Sequence, residues 1–427
     1  MIPFEGIPLA AQLLLTVALI VIVAMCLWTM ALLVRAQRAI AGAPAATAQA
    51  DDAWTWVFLV AALNEEITIG DSVERLLALD LADRKIIVID DGSDDATPEI
   101  LAGFSDPDLY VLRRDLPDAR KGKAQALNAA YHCIGQGLPD ADRERVIVVV
   151  VDADGRIDPA APRYAAAHFE DPEVGGVQAL VRIYNRTGFL TQMQDVEFSV
   201  YGGVYQAGRN HAGTAGMGGN GQFNRLSALD AVVEGDGPWR HRLTEDQDLG
   251  LRLLAAGWKS RQEMRAVVEQ QGVPRLRPLL RQRTRWAQGN LQALDLLGST
   301  WGSPFPRRAR IEEVLYLMMP LWQTVVGAAL VGAIGLAALG LAPIVPSADA
   351  LPEIYVLAFA NSVLGCLATR HTAGRGWPRA VVVAHVYALY TWLLFPVLVR
   401  ALVRQMGTQR EWARTDRVPL ESVPGAH

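Results

Sequence analysis

The sequence predicts an α/β domain with a mostly parallel sheet, carried on membrane-spanning helices. Three observations predict it. Between Trp54 and Gly257, apolar runs of strand length alternate with helix-length segments, as in a parallel sheet with helices on both faces. Carboxylates cluster at the ends of several of those runs. Uncharged apolar stretches long enough to cross a bilayer stand on both sides of this region.

The chain has 427 residues, enough for two or three domains. Its net charge of −5 is mild and argues against a nucleic-acid partner, which calls for a basic face. Cys26, Cys133 and Cys366 lie far apart, with neither zinc spacing nor a disulfide framework.

Ile7 to Val34 carries no charge. At a rise of about 1.5 Å per residue it crosses a core of roughly 30 Å. Arg35 and Arg38 follow, so the positive-inside rule puts the downstream side in the cytoplasm. The alternative is a signal peptide cleaved within AGAPAATAQA, but the run is too long and no positive charge precedes it. Residues 1–40 are therefore read as a transmembrane helix and 41–52 as a linker.

Residues 53–272 read as the soluble domain. WVFLVAALNEE from Trp54 is a strand running into a polar turn, and Ile67 to Leu79 a helix. KIIVIDDGSDDAT is a strand with an acidic end, followed by a short helix from about Pro98. Leu109 to Arg113 is a short strand and KGKAQALNAAYHCI a helix with a basic start. RVIVVVVDADG is a strand buried on both faces. It ends in Asp152 and Asp154, which in extended chain point the same way. Paired carboxylates at the carboxyl edge of an open sheet suit a hard cation such as Mg²⁺ or Mn²⁺. Asp and Gly also suit a plain surface turn. Glu65, Asp90, Asp91, Asp152 and Asp154 are expected on one edge.

Gly175 to Tyr184 reads as a further strand and Thr187 to Tyr205 as a helix. GTAGMGGNGQF is a loop passing close to a ligand or another backbone. It is not a phosphate loop, because no Gly-Lys-Ser/Thr follows. LTEDQDLGLRLLAAGW opens a helix, with Thr244 and Gln247 as a capping box and Gly257 as its C-terminal stop. Glu245 and Asp246 also complement the helix dipole there, and adjacent helix positions predict that only one of them faces a cleft.

Residues 273–310 interleave arginines with Leu276, Leu279, Leu280, Trp286, Leu291 and Leu294, the pattern of interfacial amphipathic helices. In 311–404, Val314 to Leu341, Ile354 to Ala368 and Ala380 to Leu402 are apolar enough to span, with Pro320 and Pro396 expected to kink their helices. Residues 405–427 are a tail. Four spans with the N-terminus outside leave the C-terminus outside, whereas Arg400, Arg404, Arg410, Arg414 and Arg417 argue for inside. A re-entrant apolar segment would reconcile the two, and the sequence alone leaves the side of the C-terminus open.

DDGSDD at Asp90, KGKAQALN at Lys121, DADG at Asp152, TED at Thr244 and QRTRW at Gln282 stand in order across Trp54 to Gln288. Flanked by membrane spans, this series resembles the membrane-embedded branch of the family 2 glycosyltransferases, which includes cellulose, chitin, hyaluronan and poly-N-acetylglucosamine synthases. The resemblance implies a GT-A fold and a nucleotide-sugar donor, usually a UDP-sugar. It implies that Asn64, Glu65, Asp90 and Asp91 hold the nucleoside and that Lys123 lies near the diphosphate. It also implies that Asp152 and Asp154 bind the sugar diphosphate, with Mg²⁺ or Mn²⁺ on Asp154 and Asp152. Asp246 is implied as general base, with Glu245 beside it. Gln282, Arg285 and Trp286 are implied to cover the nucleotide and the acceptor end at the membrane face. The first strand departs from the family, reading AALNEE where Pro and Tyr often precede Asn-Glu.

The residue types fit that chemistry on their own terms. A leaving diphosphate develops charge that a cation stabilises. A sugar hydroxyl needs a carboxylate to take its proton. Gln282, Arg285 and Trp286 share a helix face by their spacing, where an indole stacks on a sugar or anchors in the interface. The expected protein is an inverting, metal-dependent glycosyltransferase of the inner or plasma membrane, multi-pass, with a cytoplasmic active site. Its acceptor is a growing β-linked polysaccharide or, alternatively, a lipid or polyprenyl-linked one. A polymer channel of four spans is small unless chains associate as a homo-oligomer. A catalytically silent scaffold disagrees with the intact acidic motifs. A transporter disagrees with spans that carry almost no charge.

Overall fold

The structure is a computed structural model that describes residues 8–46, 53–139, 141–341, 351–369 and 376–407. The end of the expected linker and Arg410, Arg414 and Arg417 lie outside the described residues.

The residues between Thr55 and Gln270 are built on one eight-stranded sheet in the order β3-β2-β1-β4-β7-β6-β8-β5. The strands are β1 (Thr55–Ala62), β2 (Arg84–Asp90), β3 (Leu109–Arg113), β4 (Val146–Asp152), β5 (Arg156–Ile157), β6 (Val174–Ile183), β7 (Gln222–Arg225) and β8 (Lys259–Gln270). Strands β1 to β4 pair in parallel, as the alternation predicts. The other half is mixed: β7 runs antiparallel to β4 and β6, while β6 and β8 are parallel.

The strand period of two sorts the core. From β1 and β4, Trp56, Phe58, Val60, Ile147, Val149 and Val151 face one layer. That layer is closed by α2 (Ile69–Leu77), α3 (Thr97–Ala102) and α5 (Ala161–Phe169). Val57, Leu59, Val146, Val148 and Val150 face the opposite layer, under α4 (Lys123–Gly137) and others. Full burial of each such side chain contributes about 1.5–3 kcal/mol, which fixes the register of the strands whose ends form the cleft.

The α1 helix (Leu9–Ala41) is one continuous rod. The helix α6 (Phe189–Glu197) runs on through a π-helical turn, Phe198–Tyr205, into α7 (Gln206–Arg209). There Gly208 lets α1 approach, since a Cβ would lie 2.3 Å from the Leu32 carbonyl oxygen. After α8 (Leu226–Asp230) and α9 (Glu245–Ala255) come α10 (Leu276–Gln292), α11 (Leu297–Gly302), α12 (Arg307–Leu317) and α13 (Met319–Ala338). Fully buried Arg209 pairs with Glu312 and Glu313 of α12 and lies 3.9 Å over the Tyr316 ring.

The structure revises several sequence expectations. The span expected from Val314 is broken at Met318, with Pro320 in the first turn of α13. Pro396 likewise begins a new helix, Phe395–Met406, after Trp377–Leu393. Proline lacks the N–H that would continue the preceding helix, so both breaks fall where it sits. Among the described residues, Leu9–Ala41, Met319–Ala338 and the stretch Trp377–Met406, which holds the two helices on either side of Leu394, are long and apolar enough to cross a membrane; Leu351–Leu367 is shorter. The α10 helix is amphipathic, but Ala287 and Leu291 pack against Val397 and Ala401, so protein covers part of its apolar face. Thr244 makes no side-chain cap: its hydroxyl reaches the Gln247 side chain at 3.4 Å. Gly257, at φ +97°, does end that helix.

Candidate active site

A cleft of about 390 Å³ opens at the carboxyl ends of β1 and β4. Strand β4 ends at Asp152, and the chain then turns tightly, with the Gly155 amide donating to the Asp152 carbonyl at 2.7 Å. Asp154 therefore lies on a turn, beyond the strand whose period was expected to align it with Asp152. Both residues nevertheless line the cleft. Asp154 is 4% exposed, and its Oδ2 accepts from the Gln271 amide at 3.0 Å.

Lys123 opens α4 behind Gly122, whose φ of +116° suits a glycine. Its ammonium is ion-paired with Asp152 and donates to the Gly219 carbonyl at 3.2 Å. Burial alone would lower this ammonium's pKa; Asp152, Glu245 and Asp246 outweigh it and hold it above its ordinary value.

The Gly-rich loop forms the opposite wall. Gln178 of β6 donates to the Asn220 carbonyl at 2.8 Å and accepts from the Gly218 amide at 2.8 Å. Asn220 Oδ1 accepts from the Asp152 amide at 3.2 Å. So anchored, the loop lies against α9: a Cβ on Gly219 would stand 3.0 Å from Asp246 Oδ2.

Glu245 and Asp246 both line the cleft, against the expectation that only one would. Burial pushes Glu245 up to about 7, aided by Asp246 and opposed by Lys123. Burial also raises Asp246, against Lys123 and Arg285. Gln282, Arg285 and Trp286 close the cleft from α10. Arg285 donates to the Leu243 carbonyl at 3.0 Å, and its buried Nε has no partner among the described residues. Trp286 meets the Phe198 ring edge-on at 6.2 Å and carries the Arg283 guanidinium 4.1 Å from its ring centre.

Of the expected site residues, Glu65 and Asp91 also line the cleft. Asn64 and Asp90 do not. Asn64, at φ +56°, exchanges hydrogen bonds with Asp94. Asp90 accepts from the Ser93 amide at 2.9 Å and pairs with Arg113. Both fasten the turns that aim their neighbours. Arg120, Asn220, Gln270 and Gln271 line the cleft without having been singled out. Arg120 stands one residue before KGKA and Asn220 lies within the Gly-rich loop, whereas Gln270 and Gln271 belong to no motif.

A second cavity, of about 500 Å³, lies among α1, α13 and the two helices that follow Gly376. Trp286, Asn290 and Tyr316 line both it and the cleft.

The sequence matches the family described as glycosyl transferase family group 2 over residues 147–399, and glycosyl transferase family 2 over 57–231. The chain belongs to the family 2 glycosyltransferases. It is 34% identical over 268 residues to beta-monoglucosyldiacylglycerol synthase of Synechocystis, a match covering 61% of this chain and 53% of that protein. It is 33% identical over 266 residues to poly-beta-1,6-N-acetyl-D-glucosamine synthase of Staphylococcus aureus, covering 61% and 59%. The match thus spans a little over half the length of these relatives. The fold is shared with a mannosyltransferase from Pyrobaculum calidifontis solved with GDP-Man and Mn²⁺, at TM-score 0.59 and 19% identity, covering 93% of this chain and 100% of that one. Glycosyltransferase family 2 membership accords with DDGSDD and DADG ending β2 and β4 of one sheet and with TED opening α9 beside the same cleft.

Proposed function

We propose that this glycosyltransferase moves a sugar, with inversion, from a UDP-sugar to the end of a growing β-linked polysaccharide and passes the product towards the membrane. One observation carries the reading. The cleft holding Lys123, Asp152, Asp154 and Asp246 shares Trp286 and Asn290 with a cavity between apolar helices.

In the transfer, the acceptor oxygen bonds to the anomeric carbon as the bond from that carbon to the diphosphate oxygen breaks. Asp246 takes the hydroxyl proton; its raised pKa makes it a better base near neutral pH. Lys123 and Arg285 face the departing nucleoside diphosphate, and Arg285 has a donor to spare. Glu65 and Asp91, with Asn64 and Asp90 bracing their turns, take the nucleoside end. Six carboxylates line the cleft against three basic side chains, an imbalance that suits a bound cation. Among the described residues no group of three or more His, Cys, Asp or Glu could hold a metal. Two carboxylates are nevertheless enough for Mg²⁺ or Mn²⁺ when substrate phosphates supply further oxygens. Asp154 and Asp152 would hold it, and it would offset the charge developing on the diphosphate.

With the three candidate spans crossing and Leu351–Leu367 not crossing, Arg400 and Arg404 would fall on the same side as Arg35 and Arg38. That arrangement agrees with the positive-inside rule and supports the reading of a cytoplasmic catalytic domain in the cell membrane. A second reading, one sugar added to a lipid, draws on the apolar part of the cavity, where Ile22, Met25, Val326 and Leu398 contribute.

The test supplies purified protein in lipid vesicles with UDP-glucose, UDP-N-acetylglucosamine and GDP-mannose in turn. Nucleoside diphosphate release is measured and labelled product is sized. Release from a UDP-sugar with long product is expected. A product of one sugar on lipid would replace the polymer reading with the second, and no release from any donor would refute both.

A further inference from the structure

The cavity between the apolar helices is not uniformly apolar. Glu197, the last residue of α6, lines it and is 24% exposed. Its Oε2 accepts from Arg283 at 2.8 Å and from the Tyr390 hydroxyl at 3.0 Å. Arg283 is only 6% exposed, and its Nε and Nη1 have no partner among the described residues. The buried Tyr387 hydroxyl is likewise unpartnered. Two half-buried amides, Asn290 and Gln323, line the same cavity, and neither side chain has a hydrogen-bond partner among the described residues. Gln323 stands in α13, a helix apolar enough to cross a membrane.

Polar groups left unpaired between membrane helices are costly and tend to be kept for a ligand. An acyl chain would satisfy none of these five. A phosphate would find Arg283 already neutralised by Glu197. A sugar offers hydroxyls that both donate and accept, matching the mix of carboxylate, guanidinium, amides and phenol.

We propose that Glu197, Arg283, Asn290, Gln323 and Tyr387 form a saccharide subsite on the membrane side of the cleft. It holds a neutral sugar unit of the acceptor behind the one receiving the new residue. The assignment rests on the polysaccharide reading above and names the groups that recognise that acceptor. Asn290, which lines both cavities, stands where the acceptor passes from cleft to subsite.

Gln323→Leu and Tyr387→Phe test it, because each removes polar atoms that hold no other part of the protein. Both variants should fold and melt at or above the temperature of the unmutated protein, since a buried polar group without a partner destabilises. Vesicle-embedded protein is given UDP-glucose or UDP-N-acetylglucosamine, with a β-linked disaccharide of the same sugar or with dioleoylglycerol as acceptor. Each variant should raise the disaccharide KM about five- to tenfold, the scale of one lost hydrogen bond to a ligand, and shorten the polymer. Donor KM and slow donor hydrolysis should not change. Unchanged disaccharide KM and polymer length in both variants would overturn the subsite while leaving the proposed reaction standing. Transfer by the unmutated protein to dioleoylglycerol alone would overturn the subsite together with the polysaccharide reading.

Discussion

The Lys123 ammonium is ion-paired with Asp152 across the cleft floor, joining the start of α4 to the end of β4. Lys123 also lowers the pKa of both Glu245 and Asp246. Lys123→Met should therefore do two things. It should weaken donor use by roughly tenfold or more, since charge-assisted contacts contribute about 1.5–3 kcal/mol. It should also move the acid limb of the pH–rate profile upward, because the carboxylates lose a neighbour that favours their charged forms. Donor KM and the profile are the measurements, and an unmoved acid limb would separate Lys123 from the base.

Asp154 is buried at a turn and not in the strand core, so replacing it should spare the fold. Asp154→Asn is expected to abolish transfer with little change in melting temperature. EDTA should silence the unmutated protein, and Mg²⁺ or Mn²⁺ should restore it. Full turnover in EDTA would refute the cation assignment.

Asp246 must be ionised to accept a proton, and burial raises its pKa. Activity should accordingly be lost as pH falls through a value above the ordinary aspartate range, and be retained above it. Asp246→Asn should cut turnover by roughly 10²–10⁴-fold, the usual contribution of general-base catalysis. Donor binding should persist. Glu245→Gln should cost less; the reverse ranking would make Glu245 the base.

Gly219 leaves room for that base. Its Cβ position is 3.0 Å from Asp246 Oδ2 and 3.4 Å from Lys123 Nζ. Gly219→Ala should displace the carboxylate and lower turnover by up to about 10²-fold, as ångström-scale misplacement of a catalytic group does. Its thermal stability should stay near that of the unmutated protein.

Trp286 lines both the cleft and the cavity beyond. A stacked aromatic contact contributes about 1 kcal/mol, roughly fivefold in residence of the growing end. Trp286→Ala should shorten the polymer even where donor hydrolysis survives, with Trp286→Phe intermediate. Product of unchanged length would remove Trp286 from acceptor retention.

Much of this protein was legible before folding, because local pattern decides it. The run VIVVVVD can only be a strand buried on both faces, and the alternation around it dictates a parallel sheet. The long uncharged helices follow from hydrophobicity alone. So does the gathering of DDGSDD and DADG at one edge, because the parallel strands β2 and β4 end together. Other features depend on where distant segments meet. Asn64 and Asp90 belong to motifs, but which side chain of a turn faces a ligand and which fastens the turn depends on the partner at hand: Asp94 for one, Ser93 and Arg113 for the other. Glu245 and Asp246 share the cleft because the anchored Gly-rich loop and α10 close over the first turn of α9. Gln178 and Asn220 brace that loop from polar positions that carry no periodic signal. The apolar stripe of α10 reads equally as lipid-facing or protein-facing; Val397 and Ala401, over a hundred residues on, decide it. Sequence sets what each segment can bury, and only the packed chain shows what it is buried against.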